Sequence, residues 1–209
     1  LVAARTFTSA AGAFSRIEVR ESYGQLKYES PTGTQDRVPD WILEARVLAG
    51  RDFVGNGVSF SPYLGLGYRY LYNDFRGYLS ATNAVAYRRY SNTLYAPVGL
   101  AARVQLGDRW VLVPTVEVDV FLQGRQVTKL SDLDAGFSDV TNQQSRGRGH
   151  RASLVLERDH WSVGAWTQYW NIKDSDAQCT ALTNGTCGFS YVEPQNYTRE
   201  TGLELRYRF

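Results

Sequence analysis

The chain has 209 residues, of which 43% are hydrophobic and 13% aromatic, with 23 basic against 21 acidic side chains. A net charge of +2 gives no electrostatic case for a nucleic-acid partner. A mean hydropathy of −0.36, with no apolar run of about 18 residues, excludes membrane-spanning helices but not a transmembrane β-barrel, in which only alternate residues face lipid.

Residues 1–12 are expected to be a short, flexible leader. Leu1–Arg20 lacks the apolar core of a signal peptide, and the absence of methionine fits a mature or trimmed chain. From residue 13 to Phe209 the pattern is one domain of eight strands, near 13–28, 41–52, 58–72, 87–106, 109–123, 147–158, 161–173 and 196–209. Most are longer than the five or six residues common in soluble sheets. They match the roughly 9–11 residues that a tilted strand needs to cross a bilayer. Three connections are tight: Phe53-Val54-Gly55-Asn56-Gly57, Gly107-Asp108 and Asp159-His160, rich in the residues that accept positive φ. The other four, near 29–40, 73–86, 124–146 and 174–195, are long and polar. Short turns at one rim and long loops at the other are the outer-membrane barrel pattern, with both termini on the short-turn, periplasmic rim and the long loops extracellular.

Successive side chains of a strand point to opposite faces, and in each segment one row is apolar. The fifth sets Trp110, Leu112, Pro114, Val116, Val118, Val120 and Leu122 against Thr115, Glu117, Asp119 and Gln123. The third sets Leu64, Leu66, Tyr68 and Tyr70 against Gly65, Gly67 and Arg69. Collected over the chain, the polar rows hold Glu18, Glu44, Glu117, Asp119, Glu157, Glu200 and Glu204 with Arg20, Arg46, Arg69, Arg103, Arg151 and Arg206. Every base among them is Arg, whose rigid fork suits buried carboxylates, and a solvated face would be expected to carry Lys as well. The interspersed small residues suit an interior with room only for side chains. Trp41, Trp110, Trp161 and Tyr207 close the apolar rows where interface girdles sit. The expected fold is therefore all-β, a closed eight-stranded antiparallel up-and-down transmembrane β-barrel, with the charged rows inside.

The last strand alternates Leu203, Leu205, Tyr207 and Phe209 and ends on the aromatic. With the strand pattern from about residue 13 onward, this resembles the small eight-stranded outer-membrane proteins, the group of the OmpA transmembrane domain and the OmpX and NspA proteins. The resemblance implies that these four residues form the signal read by the barrel-assembly machinery. It also implies that outer-membrane lipid and lipopolysaccharide surround the protein, whose role is structural, loop-mediated binding or narrow permeation.

Chemistry is weakly signalled. His150, Ser153 and Glu157 are the candidates for a hydrolase acting on lipid A or phospholipid, an alternative function. Residues 150 and 153 are an odd number apart, face opposite sides of a strand and form no dyad, a departure from the His-x-Ser of lipid A deacylase barrels. The acidic run 132–139 has no calcium-loop spacing, and no metal or cofactor site is expected. Cys179 and Cys187 are expected to bridge within loop 174–195 in an oxidising compartment. A soluble lipocalin-like carrier, with the apolar rows turned inward, is the third possibility.

Overall fold

The computed structural model describes residues 1–30, 33–79, 87–181 and 186–209, with only the backbone considered at 30, 33, 180, 181 and 189. The chain is all-β and antiparallel. Its strands are β1 (Val2–Thr8), β2 (Ala13–Ser30), β3 (Gly33–Arg51), β4 (Phe53–Val54), β5 (Val58–Asp74), β6 (Arg88–Leu106), β7 (Trp110–Thr128), β8 (Val140–Gln144), β9 (Gly147–Arg158), β10 (Trp161–Ile172), β11 (Ala177–Ala181), β12 (Cys187–Val192) and β13 (Asn196–Tyr207), with one 3-10 turn at Leu130–Asp132. The main sheet runs β1-β2-β3-β5-β6-β7-β9-β10-β13, and β11 pairs with β12 in a separate hairpin.

Eight strands of that path, β2 to β13, occupy the eight segments read from sequence. They curl into a half-barrel because the two faces of each strand differ in bulk and polarity. Arg151 on β9 reaches Glu44 on β3, and Arg69 on β5 reaches Glu200 on β13. These strands stand four and five places apart in the sheet, and only strong curvature brings them within the reach of one arginine. The polar row is thus concave and the apolar row convex. Ile17, Val47, Leu66, Val98, Val118, Leu154, Val163 and Leu203, one from each of the eight strands, are all exposed.

Residues 2–8 differ from the expected leader. They form β1, which pairs with β2 from Val2↔Arg20 to Thr8↔Phe14. The alternation was too short and too weakly apolar to register as a strand, but the adjoining edge of β2 supplies the partners. This also moves the chain start away from the short-turn rim. The ammonium of Leu1 donates to the carbonyl of Glu21 at 2.6 Å, partway up the wall, while only Phe209 lies at that rim, where Arg208 N–H donates to the His160 carbonyl. The tight turns share this rim, with positive φ at Gly57, Gly107 and Asp159.

At the opposite end the strands continue through much of what composition marks as loop. β2 and β3 pair as far as Ser30↔Gly33, β7 runs on to Thr128 and takes β8 as a partner, and β11 and β12 fill part of 174–195. Polar residues alternate there, so one face no longer separates from the other in sequence, yet backbone pairing carries on. Residues 80–86 of the 73–86 connection lie outside the described residues. One irregularity reverses an assignment: β7 bulges beside Leu94 and Tyr95, which pair with Gln123 and Phe121. The extra residue, Leu122, shifts the phase, so Gln123 is exposed on the convex face and Gly124 and Gln126 turn inward.

The concave face is narrow, and glycines make room on it. A Cβ at Gly67 would lie 2.2 Å from the Tyr95 ring, and one at Gly99 2.3 Å from Tyr63. Tyr95 needs that space to pack with Phe121, Trp170 and Ile172, the only buried apolar cluster among the described residues. Gly67→Ala is expected to destabilise the protein by about 1–3 kcal/mol through overpacking. Gly24→Ala meets nothing within 4 Å and should leave stability unchanged or slightly raised. Urea unfolding of both variants, followed by tryptophan fluorescence, checks the contrast.

Candidate functional site

The thirteen charged residues of the polar rows all project from the concave face, and the curl sorts them into layers. Near the short-turn rim Arg103 meets Glu157 at 2.7 Å. Above it, Arg46 donates to Glu18 at 2.7 Å and to Glu117 at 2.6 Å, while the Tyr63 hydroxyl donates to the other oxygen of Glu117 at 2.7 Å. Arg16, which sequence reasoning omitted, adds a second base to Glu18 at 2.7 Å.

The next layer is the most buried. Arg151 donates through Nε to Asp119 at 2.7 Å and through Nη1 to Glu44 at 2.8 Å, and the Tyr95 hydroxyl donates to Glu44 at 2.7 Å. Asp119 is fully buried. On the β2–β13 side, Arg20 donates to Gln168 at 3.0 Å and Glu200 at 3.3 Å, with its guanidinium 4.0 Å from the Trp166 ring centroid. Arg69 donates to the same Glu200 at 2.9 Å. Glu204 and Arg206 bridge each other along β13 at 2.7 Å and take no part in these layers. Tyr63, Tyr95, Trp166 and Gln168 belong to the network as much as the charges do. The signal for the two tyrosines was their place on a polar row opposite glycines on the neighbouring strand.

The arrangement is a set of ion pairs in which each guanidinium that spans two carboxylates ties strands together, while Asp119 Oδ1 and Arg69 Nε are buried without a hydrogen-bond partner. His150 is exposed on the convex face and pairs with Tyr169, whereas Ser153 points inward with Arg151. His160 sits at the short-turn rim with Nδ1 2.9 Å from the Arg208 carbonyl. Among the described residues no group of three or more His, Cys, Asp or Glu side chains is placed to hold a metal ion.

The long-loop end is also braced. Tyr87 and Tyr191 join hydroxyl to hydroxyl at 3.0 Å, beside an ion pair between Arg89 and Glu193. Asn142 on β8 donates to the carbonyls of Asp176 and Tyr191, which ties the β11–β12 hairpin to the wall. Cys179 and Cys187 form a disulfide within that hairpin, Cα atoms 5.6 Å apart. Of the acidic run, Asp132 binds the guanidinium and backbone N–H of Arg88, and Asp139 binds Lys129 and Ser131. Leu203, Leu205, Tyr207 and Phe209 are all exposed on the last strand.

Comparison with protein-family models gives no match, and comparison with curated proteins gives none either.

Two predictions follow from these contacts. Arg151→Met leaves Glu44 and Asp119 without their shared cation, and removal of one partner from a buried network costs about 3–5 kcal/mol. The urea midpoint should fall accordingly, much further than for Arg206→Met. At the loop end, hydrogen bonds from Arg88 hold the Asp132 carboxyl below the ordinary aspartate range. A lowered folded value means that the Arg88–Asp132 clamp is intact above the ordinary range and is lost only as pH falls through the lowered value. At neutral pH, Asp132→Asn should release the clamp, read as faster amide hydrogen exchange over 129–139 with exchange in the wall unchanged.

Proposed function

We propose that the protein is an integral outer-membrane β-barrel whose interior is sealed by its ion pairs and whose long-loop end is the exposed, interacting part. The observation that carries this reading is the inverted distribution of polarity: charge on the concave face, a continuous apolar surface on the convex one. Soluble monomers rarely expose contiguous apolar patches beyond about 300–600 Å², and this one crosses eight neighbouring strands. Aromatic residues border it at two levels. Toward the short-turn rim lie Trp110, Trp161, Tyr207 and Phe209, with Trp161 and Tyr207 4.9 Å apart. Toward the loops lie Trp41, Tyr70 and Tyr90, the first two 5.6 Å apart. Phe60 and Tyr70, and likewise Tyr197 and Tyr207, stand ten residues apart, roughly 33 Å along a strand, which a tilt of about 40° reduces to the roughly 25 Å apolar band of such barrels.

The reading includes closure of the sheet between β2 and β13. These two strands run antiparallel, and their inward side chains Arg20 and Glu200 already touch. Closure there exchanges β1 for β13 on one edge of β2 and gives eight strands. Ion pairs and aromatic rings fill such a narrow interior, which favours a sealed wall over a general pore. The braced loops then stand outside as a preformed surface for a partner.

Two measurements test the proposal. Val118→Arg puts a charge at mid-height on the convex face. It should destabilise the protein by about 2–4 kcal/mol in a bilayer, whereas in a soluble protein an exposed valine replaced by arginine is nearly neutral. Paired cysteines at Val19 and at Arg199, Thr201 or Leu203 should form a disulfide in the folded protein. If no pair does so while β1 stays on β2, closure along this seam is refuted.

A further inference from the structure

The convex face carries one patch whose chemistry departs from the apolar band below it. On β9, β10 and β13 the register places His150 beside Tyr169 and Tyr169 beside Arg199. One step nearer the loops, it places Arg148 beside Asn171 and Asn171 beside Tyr197. Odd and even positions settle the face: these six residues share it with Leu154, Val163 and Leu203, and Arg148, His150, Tyr197 and Arg199 are exposed. The rings form a ladder, His150 to Tyr169 at 6.5 Å and Tyr169 to Tyr197 at 6.3 Å, with interplanar angles of 14° and 27°.

The charges of this block have no carboxylate partner on their own three strands; across the proposed β2–β13 seam the convex-face carboxylate nearest Arg199 is Glu21, which accepts from the Trp41 indole at 3.1 Å. Arg20, Arg46, Arg69, Arg103 and Arg151 on the concave face each hold a carboxylate. Arg148 and Arg199 appear in no ion pair among the described residues, and the convex face of β9, β10 and β13 carries no Asp or Glu at any position. Two strand spacings and a two-residue step separate their backbones by roughly 12 Å. A guanidinium reaches about half that distance, so both can meet over Tyr169 and Asn171. Converging guanidinium forks bind phosphate with charge-assisted hydrogen bonds. Just below the patch, Ala152, Leu154, Ala165, Val163, Leu203 and Leu205 continue the apolar surface down the same three strands.

We infer that this block is a binding site for the phosphate-bearing headgroup of an anionic membrane lipid, with Arg148 and Arg199 as its phosphate ligands and the apolar residues below as the track for its acyl chains. The inference rests on the membrane reading proposed above. The level supports it: the block lies in the aromatic belt on the loop side, where headgroups meet the hydrocarbon, and a surface that is basic there and apolar beneath is complementary to an anionic amphiphile.

The test uses the full chain purified in detergent micelles. Far-UV circular dichroism and heat-shifted gel mobility establish the folded barrel first; a chain that stays folded and monomeric without detergent sinks the membrane reading before any lipid is added. Native mass spectrometry then follows bound dipalmitoyl phosphatidic acid against dipalmitoyl phosphatidylcholine. Phosphatidic acid is expected to be retained at least tenfold more than phosphatidylcholine. The Arg148→Gln/Arg199→Gln double variant should lose at least tenfold of that retention, and Arg158→Gln, at the opposite belt, should lose none. Equal retention of the two lipids, or of phosphatidic acid by the folded double variant and the parent, overturns the inference. Displacement of the lipid by an equal concentration of inorganic phosphate also overturns it, because the site would then take a free anion rather than a lipid.

Discussion

Arg151 reaches across the curl from β9 and donates to Asp119, to Glu44 and to the hydroxyl of Tyr95. Four strands meet at this one guanidinium, and the rest of the interior is arranged so that it can. Two carboxylates cannot stay charged in a space closed to water without a cation between them. A planar fork with donors on several sides can serve both, which a lysine could not do. The aromatic ring that completes the cluster requires a neighbour without a side chain, and Gly67 supplies it. The layers above and below repeat the scheme with Arg46 between Glu18 and Glu117, and with Arg20 and Arg69 sharing Glu200.

With polarity concentrated inside, the protein has almost no apolar core. Tyr95, Phe121, Trp170 and Ile172 form the one buried cluster among the described residues, and most large aliphatic side chains point outward. Burial of apolar surface, the usual source of stability, is therefore small within the chain itself. Inside, position matters more than total area: each inner charge has its partners at set distances, and a change at one of them is felt on strands four or five places away.

Much of the wall was legible in the sequence because it obeys a period of two over long stretches. Leu64, Leu66 and Tyr68 against Gly65, Gly67 and Arg69 define a two-faced strand without help from any neighbour. The tight turns were legible for a similar reason, since Gly57 and Gly107 sit where positive φ is required. What was missed depends on partners. β1 exists because β2 offers it an edge. The strand extensions beyond Trp41 and Gln123 lack a polarity contrast, so alternation cannot reveal them. An unbroken period of two puts Gln123 inward, and a bulge opposite Leu94 and Tyr95 breaks that period. In the charged network, the residue types and the face could be read from the chain, but not the pairing, which is set by the curvature.

The position of β1 bears on the order in which the chain can organise itself. β1 and β2 are joined by a short turn, so their hairpin closes a loop of only a few residues and belongs to the microsecond class of events. Any contact between Arg20 and Glu200 spans 180 positions and must await the last strand to be made, at a loop-closure cost that grows with length. Until then an uncovered edge of β2 would be a row of free amides and carbonyls open to other chains. By lying on the first half of that edge, β1 acts as a sequence-adjacent guard over backbone that would otherwise be open to other chains.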